Sequence, residues 1–319
     1  MKKILKNFSQ NPKNDILSGL TVALALVPEA VAFAFIAGID PLVGLYGAFI
    51  MGIITALFGG RPGMISGATG AMAVVMIHMI QKGNEVGESL LNPVDNLGLH
   101  WLFITLLIVG LIQVLAGVFK LGKFVRLIPH SVMMGFVNGL AIVIFLSQLG
   151  LFQKSTINGA QWISGAELYT MLALIGTTML IMYYLPKITT KVPAALVAIV
   201  SVALITVLGN IDVSTVGSFI SDGGGEGLKG SLPVFQGQIF ELFYTIDGYW
   251  DLIISTAVLL AAVGLIESLM TLNLVDEITQ TRGSGNRECL AQGGANFLNG
   301  LFGGMGGCAM IGQSIINVN

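Results

Sequence analysis

Two acids in apolar surroundings are the first residues of this 319-residue sequence that could do chemistry: Glu29, directly after Pro28, and Glu267. Both lie well inside hydrophobic stretches that hold no Lys or Arg. An acid near the middle of a membrane helix costs about 2.5–3.5 kcal/mol on insertion scales, so it reads as a functional group, here a trap for a proton or a cation. Thr271 follows Glu267 at a spacing that places both on one helix face, where they can jointly offer oxygens to a proton or a sodium ion. Pro28 removes a backbone donor and clashes one turn back, so the helix is expected to bend or open beside Glu29. Irregular backbone at that depth survives only against protein or a wet cavity, so Glu29 is expected to face a cavity and not lipid. Glu267, Thr271 and Glu29 are the candidate cation-coupling residues.

A second group offers the opposite field. Ser66, Gly67, Ala68, Thr69 and Gly70 open one short apolar stretch, and Gly307, Cys308, Ala309 and Met310 open another. A helix N-terminus presents free N–H groups and about half a positive charge, which favours an anion. The small side chains let an anion approach the backbone, and the hydroxyls of Ser66 and Thr69 can donate. Ser66, Gly67, Ala68, Thr69 and Gly70, with Cys308, Ala309 and Met310 opposite, form the candidate anion-binding set. The same phrase introduces both stretches: Leu57-Phe58-Gly59-Gly60 leads to the first and Leu301-Phe302-Gly303-Gly304 to the second. Paired short segments interrupted by Gly or Pro point to a substrate site built from two half-helices, and so to a transporter.

Other chemistries are weaker. The sequence contains no H-E-x-x-H or G-x-S-x-G constellation, so an intramembrane enzyme is not expected. His78, His100 and His130 have no metal-ligand spacing and read as helix-end or interfacial residues. Cys289 and Cys308 suit neither a disulfide framework nor a metal site and read as small apolar fillers. The acidic stretch Asp222–Gly227 matches no EF-hand loop and reads as a solvated linker. Asp276, Glu277, Arg282, Arg287 and Glu288 read as solvated caps and loop ion pairs. No cofactor is expected beyond the coupling ion.

The elements that must position these residues are membrane spans. With 54% hydrophobic and only 10% charged residues, and a mean hydropathy of +0.85, the chain is an integral membrane protein. A net charge of −2 gives no case for nucleic acid. Apolar runs near the length needed to cross a bilayer fall at 15–38, 42–59, 100–119, 125–150, 166–185, 192–209, 248–272 and 287–304, with half-helices at 66–80 and from 308 onward. The first run is too long for a signal-peptide core and no A-x-A-type site follows it, so cleavage is not expected. With the N-terminus inside, 12 basic residues fall on the cytoplasmic side and only Lys82, Lys154 and Lys229, 3 in all, fall outside. The long loops, 81–99 and 210–247, lie outside. On this map seven crossings separate the two copies of the repeated phrase, an odd number, so the halves are inverted relative to each other.

These residues also carry a family resemblance. Ile65-Ser66-Gly67-Ala68-Thr69-Gly70-Ala71-Met72 resembles the third-segment signature of the sulfate permease (SulP) family of anion transporters. Ile266-Glu267-Ser268-Leu269-Met270-Thr271, followed by Val275-Asp276, is similar to its eighth segment. Asn286-Arg287-Glu288, Gln292-Gly293, Asn296 and Gly303-Gly304 resemble its ninth, and Ile315-Ile316-Asn317-Val318-Asn319 its tenth. The resemblance implies an all-α polytopic fold of fourteen segments in a seven-plus-seven inverted repeat, with core and gate domains and an elevator-like movement. On that comparison this chain stops within the tenth segment. It would then comprise a cytoplasmic segment at 1–14 and a transmembrane domain at 15–319, with a first repeat at about 15–209 and a partial second at about 248–319. The last four segments, half of the gate and the usual cytoplasmic STAS domain would lie outside it, as in a fragment or a truncated gene.

In sodium–bicarbonate symporters of the family, an acid and a threonine of the eighth segment hold sodium, and the matching positions here are Glu267 and Thr271. Bicarbonate members can have Asp where this chain has Glu, which leaves the proton equally open. Animal members carry an arginine near the start of the tenth segment. No Arg or Lys follows Arg287 here. The expected function is secondary active transport of an inorganic anion, sulfate or bicarbonate, across a bacterial inner membrane, with the full-length protein a homodimer. An anion entering beside two carboxylates without a fixed cation needs helix dipoles plus a proton or sodium, so symport ranks above the alternatives: exchange, channel-like conduction, or an inactive fragment.

Overall fold

The computed structural model describes residues 12–90, 93–123, 130–149, 152–156, 159–189, 194–211, 213 and 231–318. Ser221, the acidic stretch 222–227, and Lys2, Lys3, Lys6, Arg126, Lys191 and Lys229 lie outside the described residues. The chain is helical almost throughout: α1 (Pro12–Ala37), α2 (Pro41–Phe58), α3 (Gly70–Ser89), α4 (Leu97–Val118), α5 (His130–Leu149), α6 (Ala166–Ile188), α7 (Ala194–Leu208), the short α8 (Gln238–Glu241) leading into a 3₁₀ turn at Leu242–Ile246, α9 (Trp250–Thr279), α10 (Gly285–Phe302) and α11 (Ile311–Val318). Among the described residues five helices (α1, α2, α4, α6 and α9) are long and apolar enough to cross a bilayer.

Among the described residues two small antiparallel sheets interrupt the helices. One is a hairpin of β2 (Gln153–Thr156) and β3 (Gly159–Trp162). The other pairs β1 (Ser66–Gly67) with β4 (Cys308–Ala309), more than two hundred residues apart in sequence, in the register Ser66↔Ala309 and Gly67↔Cys308.

The core gathers around α4. Trp101, Leu102 and Leu106 of α4, Met72, Met76 and Met79 of α3, and Leu260 of α9 are completely buried. The most extensive helix contact is α4 against α10, and glycine makes it close. A Cβ at Gly293 would stand 2.6 Å from Val114 N, and one at Gly110 would stand 2.6 Å from Phe297 N. Small residues that let backbones approach this far are the usual basis of helix association in a bilayer. By contrast, no residue of α6 is buried, and α6 packs mainly on α7.

The two copies of the repeated phrase dock on one another's helices. Asp40 caps α2 by accepting from Leu42 N at 2.7 Å, with Pro41 at the first helical position. The helix ends at Leu57-Phe58-Gly59-Gly60, and Gly60 meets the start of α10: its carbonyl accepts from Ser284 N at 2.9 Å and its N–H donates to Glu288 at 2.7 Å. At the far end of α10, Gly303 takes the left-handed conformation (φ +79°) that ends a helix cheaply only as glycine. The chain then crosses the start of α2, where Met305 N donates to Val43 O at 3.0 Å. Helices α2 and α10 are therefore antiparallel, each phrase seated on the N-terminal turns of the other helix.

Several expectations are corrected here. Helix α1 stays helical through Pro28, so it does not open beside Glu29. Helix α3 runs to Ser89, well past residue 80, so 81–89 is not loop; its extra turns rest on the start of α4, where Asn84 Oδ1 accepts from Gly98 N at 2.9 Å. His78 consequently sits mid-helix, exposed. Part of the expected outer loop 210–247 is ordered as α8 and the 3₁₀ turn. Glu288 is not solvated: it is 1% exposed, taking the Gly60 N–H and the Gln292 side-chain amide at 2.8 Å. Arg61, also buried, is paired with Asp276 at 3.3 Å, and its guanidinium donates to Thr281 at 2.7 Å and to Thr279. Arg287 donates to Phe58 O at 2.9 Å. Glu277, Arg282 and Arg287 are exposed as expected, while Arg61, Asp276 and Glu288 interlock the α2–β1 and α9–α10 connections.

Candidate anion and coupling site

The pairing of β1 with β4 brings together the residues in which the sequence suggested an anion site. Ser66, Thr69, Cys308, Ala309 and Met310 are all buried at this crossing. Helix α3 begins at Gly70 and α11 at Ile311, so both helices start where the strands meet. Thr69 is the N-cap of α3 in extended conformation (φ −127°, ψ 147°), and its side chain makes no capping hydrogen bond. The first N–H groups of a helix have no intrahelical partner, and those of α3 open among buried residues 70–73. Gly67 is closely packed at the crossing: a Cβ there would meet Leu26 at 3.0 Å and Met310 Sδ at 3.1 Å.

Glu267 and Ser268 of α9 both reach β4. Ser268 Oγ accepts from Ala309 N at 3.0 Å, and the Cys308 thiol donates to Glu267 Oε2 at 3.0 Å. The same sulfur stands 3.1 Å from Thr69 Oγ1, so Thr69, Cys308 and Glu267 form one hydrogen-bonded chain across the strand pair. This corrects the filler reading of Cys308; Cys289 is buried against Leu269 as a filler would be. Thr271 is buried on the same face of α9 as Glu267, and its hydroxyl donates to the Glu267 carbonyl at 2.8 Å, leaving the oxygen lone pairs open.

Glu29 does not join this group. Its carboxylate accepts from the Gln313 side chain, tying α1 to α11. A second tie links Ser18 to Asn317, and Asn317 Nδ2 donates to Gly63 O at 2.9 Å. Glu29 is half-buried and faces α11.

Sequence reasoning missed the residues that hold the two strands. Gln292 Nε2 donates to Ser66 Oγ at 2.8 Å. Asn296 takes Gly307 N–H on Oδ1 at 2.9 Å and donates to Gly307 O at 3.0 Å. Ser314 Oγ accepts from Ile65 N at 3.0 Å. The signal was present in the spacing: Glu288, Gln292, Asn296 and Asn299 recur at helical intervals, and all are buried on α10.

A mostly helical, multi-pass membrane domain in which two helices start from one strand pair defines a membrane transporter class, and comparison with known proteins agrees. The chain belongs to the sulfate permease family, whose model matches residues 13–319; the family is made up of transporters, not enzymes. It is 45% identical over 307 residues to "Putative sulfate transporter YbaR" of Bacillus subtilis, covering 96% of this chain and 57% of that protein. It is 32% identical over 323 residues to the bicarbonate transporter BicA of Synechocystis sp., covering 97% of this chain and 53% of that protein. The chain thus spans about half the length of the curated relatives it matches. The solved transmembrane domain of a cyanobacterial bicarbonate transporter BicA superposes with a TM-score of 0.75 at 28% identity, over 97% of this chain and 77% of that one. SLC26A9 shares the fold at a TM-score of 0.66 and 17% identity, over 96% of this chain and 50% of that one.

Proposed function

We propose that this chain is the anion-carrying part of a secondary active transporter that moves a small inorganic anion, sulfate or bicarbonate, in symport with a cation. The observation that carries the reading is the antiparallel pairing of Ser66-Gly67 with Cys308-Ala309 at the starts of α3 and α11. Two helix N-termini converge there with no basic side chain among the described residues beside them, so backbone N–H groups and the hydroxyls of Ser66 and Thr69 would hold the anion. The names of the relatives support the substrate class: sulfate for YbaR and bicarbonate for BicA.

Glu267 supplies the coupling. Its carboxylate lies one thiol away from Thr69, so a cation on Glu267 would offset the charge of an anion at the strand pair. A hard cation such as sodium takes oxygen ligands, and the thiol of Cys308 on the carboxylate favours the proton over sodium. Glu29 would bias the position of α11 through Gln313 without touching the coupling ion. The membrane is the bacterial inner membrane with the N-terminus inside, as the basic-residue asymmetry supports. An elevator-like movement would carry the site as a block with the α3–α4–α9–α10 core, while the sparsely packed α6 and α7 belong to the gate.

The test is Glu267→Gln in the full-length protein reconstituted in liposomes. The change keeps size and hydrogen bonding and removes the titratable charge. It should abolish anion accumulation driven by a pH or sodium gradient while leaving anion binding or exchange at least partly intact. Uphill accumulation with unchanged pH and sodium dependence would show that Glu267 is not the coupling residue.

A further inference from the structure

The β1–β4 pair is too short to hold itself together. Each strand has two residues, and even a longer isolated two-stranded pair is marginal on its own. Something else must set where the two half-helix starts stand relative to each other.

Helix α10 touches both. Gln292 reaches Ser66 on β1, and Asn296, one turn later, grips Gly307 immediately before β4. The grip on Gly307 is two-point: one amide side chain takes the N–H and gives to the C=O of the same residue, which fixes both flanking peptide planes. Asn296 is itself oriented by Gln113 of α4, whose Oε1 accepts from Asn296 Nδ2 at 2.9 Å and whose Nε2 donates to Ala261 O of α9 at 3.4 Å. Gln292 also donates to Glu288. All three amides are completely buried, and α10 is seated on α4 by glycine contacts that leave no slack. A helix with a polar inner face is a poor choice for packing alone, since buried polar groups are costly unless each is satisfied, and here Gln292 Oε1 has no partner among the described residues. Amides have a particular merit here: they donate and accept without adding charge beside an anion.

We infer that Gln292 and Asn296 are positioning residues that set the separation and register of β1 and β4, and through them the affinity for the anion. The inference rests on the reading of the strand pair as the anion site. Neither side chain needs to touch the anion; Gln292 acts through Ser66, and Asn296 through Gly307.

The experiment uses the full-length protein in proteoliposomes, with radiolabelled sulfate and bicarbonate as probes, and compares wild type, Gln292→Met, Ser66→Ala and the double variant. Gln292→Met removes both donations at nearly constant volume. It should raise KM about tenfold, the loss of roughly one hydrogen bond's worth of placement, with the maximal rate nearly unchanged. In the Ser66→Ala background the same change should add little, because its route to the anion is already cut. Asn296→Leu is the second variant and should raise KM at least as much, since it releases both contacts to Gly307. A lower melting temperature with KM unchanged in the folded fraction would overturn the inference and leave the anion site standing. So would a KM effect of Gln292→Met that adds in full to that of Ser66→Ala. Absence of saturable uptake of either anion by wild-type protein would instead overturn the anion reading and this inference with it.

Discussion

Gly307→Ala is the smallest change that should disable the strand pair. A Cβ at Gly307 would stand 1.9 Å from Gly67 O and 2.6 Å from its carbonyl carbon, whereas real Cβ atoms essentially never come within 3.0 Å. The strands would have to part by about 1.1 Å, the difference between the first and last of these distances. The obstacle is backbone, so no rotamer change relieves it. A movement of that size also exceeds the slack in the Asn296 contacts to Gly307, at 2.9 and 3.0 Å. Overpacking of this kind costs about 1–3 kcal/mol. Carried onto the anion-bound state, that is roughly a 5- to 150-fold loss of affinity. Gly312→Ala is the control, because a Cβ there meets nothing within 4 Å although it lies in the first turn of α11. Equilibrium binding of labelled sulfate and bicarbonate to purified full-length protein, with size-exclusion profiles to establish folding, measures both. Wild-type affinity in Gly307→Ala, or an equal loss in Gly312→Ala, would refute the claim that close approach of the two strands builds the site.

Two further outcomes are expected. After replacement of Cys289 and Cys308, an impermeant thiol reagent applied to intact cells should label Ser221→Cys and not Ser284→Cys; the opposite pattern would invert the topology. Arg61→Ala should lower stability by about 1–3 kcal/mol, since it leaves a partly buried Asp276 without its cation, held only by the Gly283 N–H among the described residues, and frees Thr281. An unchanged melting temperature in Arg61→Ala would show that the interlock between the α2–β1 and α9–α10 connections carries no stability.

The sequence alone determined the features written in composition and local chemistry. Hydrophobic runs of bilayer length mark the spans, because a bilayer leaves the backbone no partner but itself. Glu267 and Glu29 stand out because an acid in an apolar run has no bland explanation of equal weight. The small residues at 66–70 and 307–309 mark helix starts, because only small side chains leave backbone N–H groups approachable. The repeated phrase, with the parity of the crossings between its copies, anticipated the antiparallel arrangement of α2 and α10.

Tertiary structure alone decided which faces meet. Glu288, Gln292 and Asn296 sit in a weakly hydrophobic helix, and nothing local tells a buried polar face from a solvated one; contact with α4 and the strand pair makes the difference. Cys308 reads as a filler until folding sets it between Thr69 and Glu267, which come from positions far apart in the chain. Arg61 counts as one more cytoplasmic charge until the α9–α10 connection closes over it. The last turns of α3 are weakened as a helix by Gly83 and Gly87, and the start of α4 supplies what they lack. Composition tells what a residue would cost in a bilayer; only the packing of distant segments provides the partners that remove the cost.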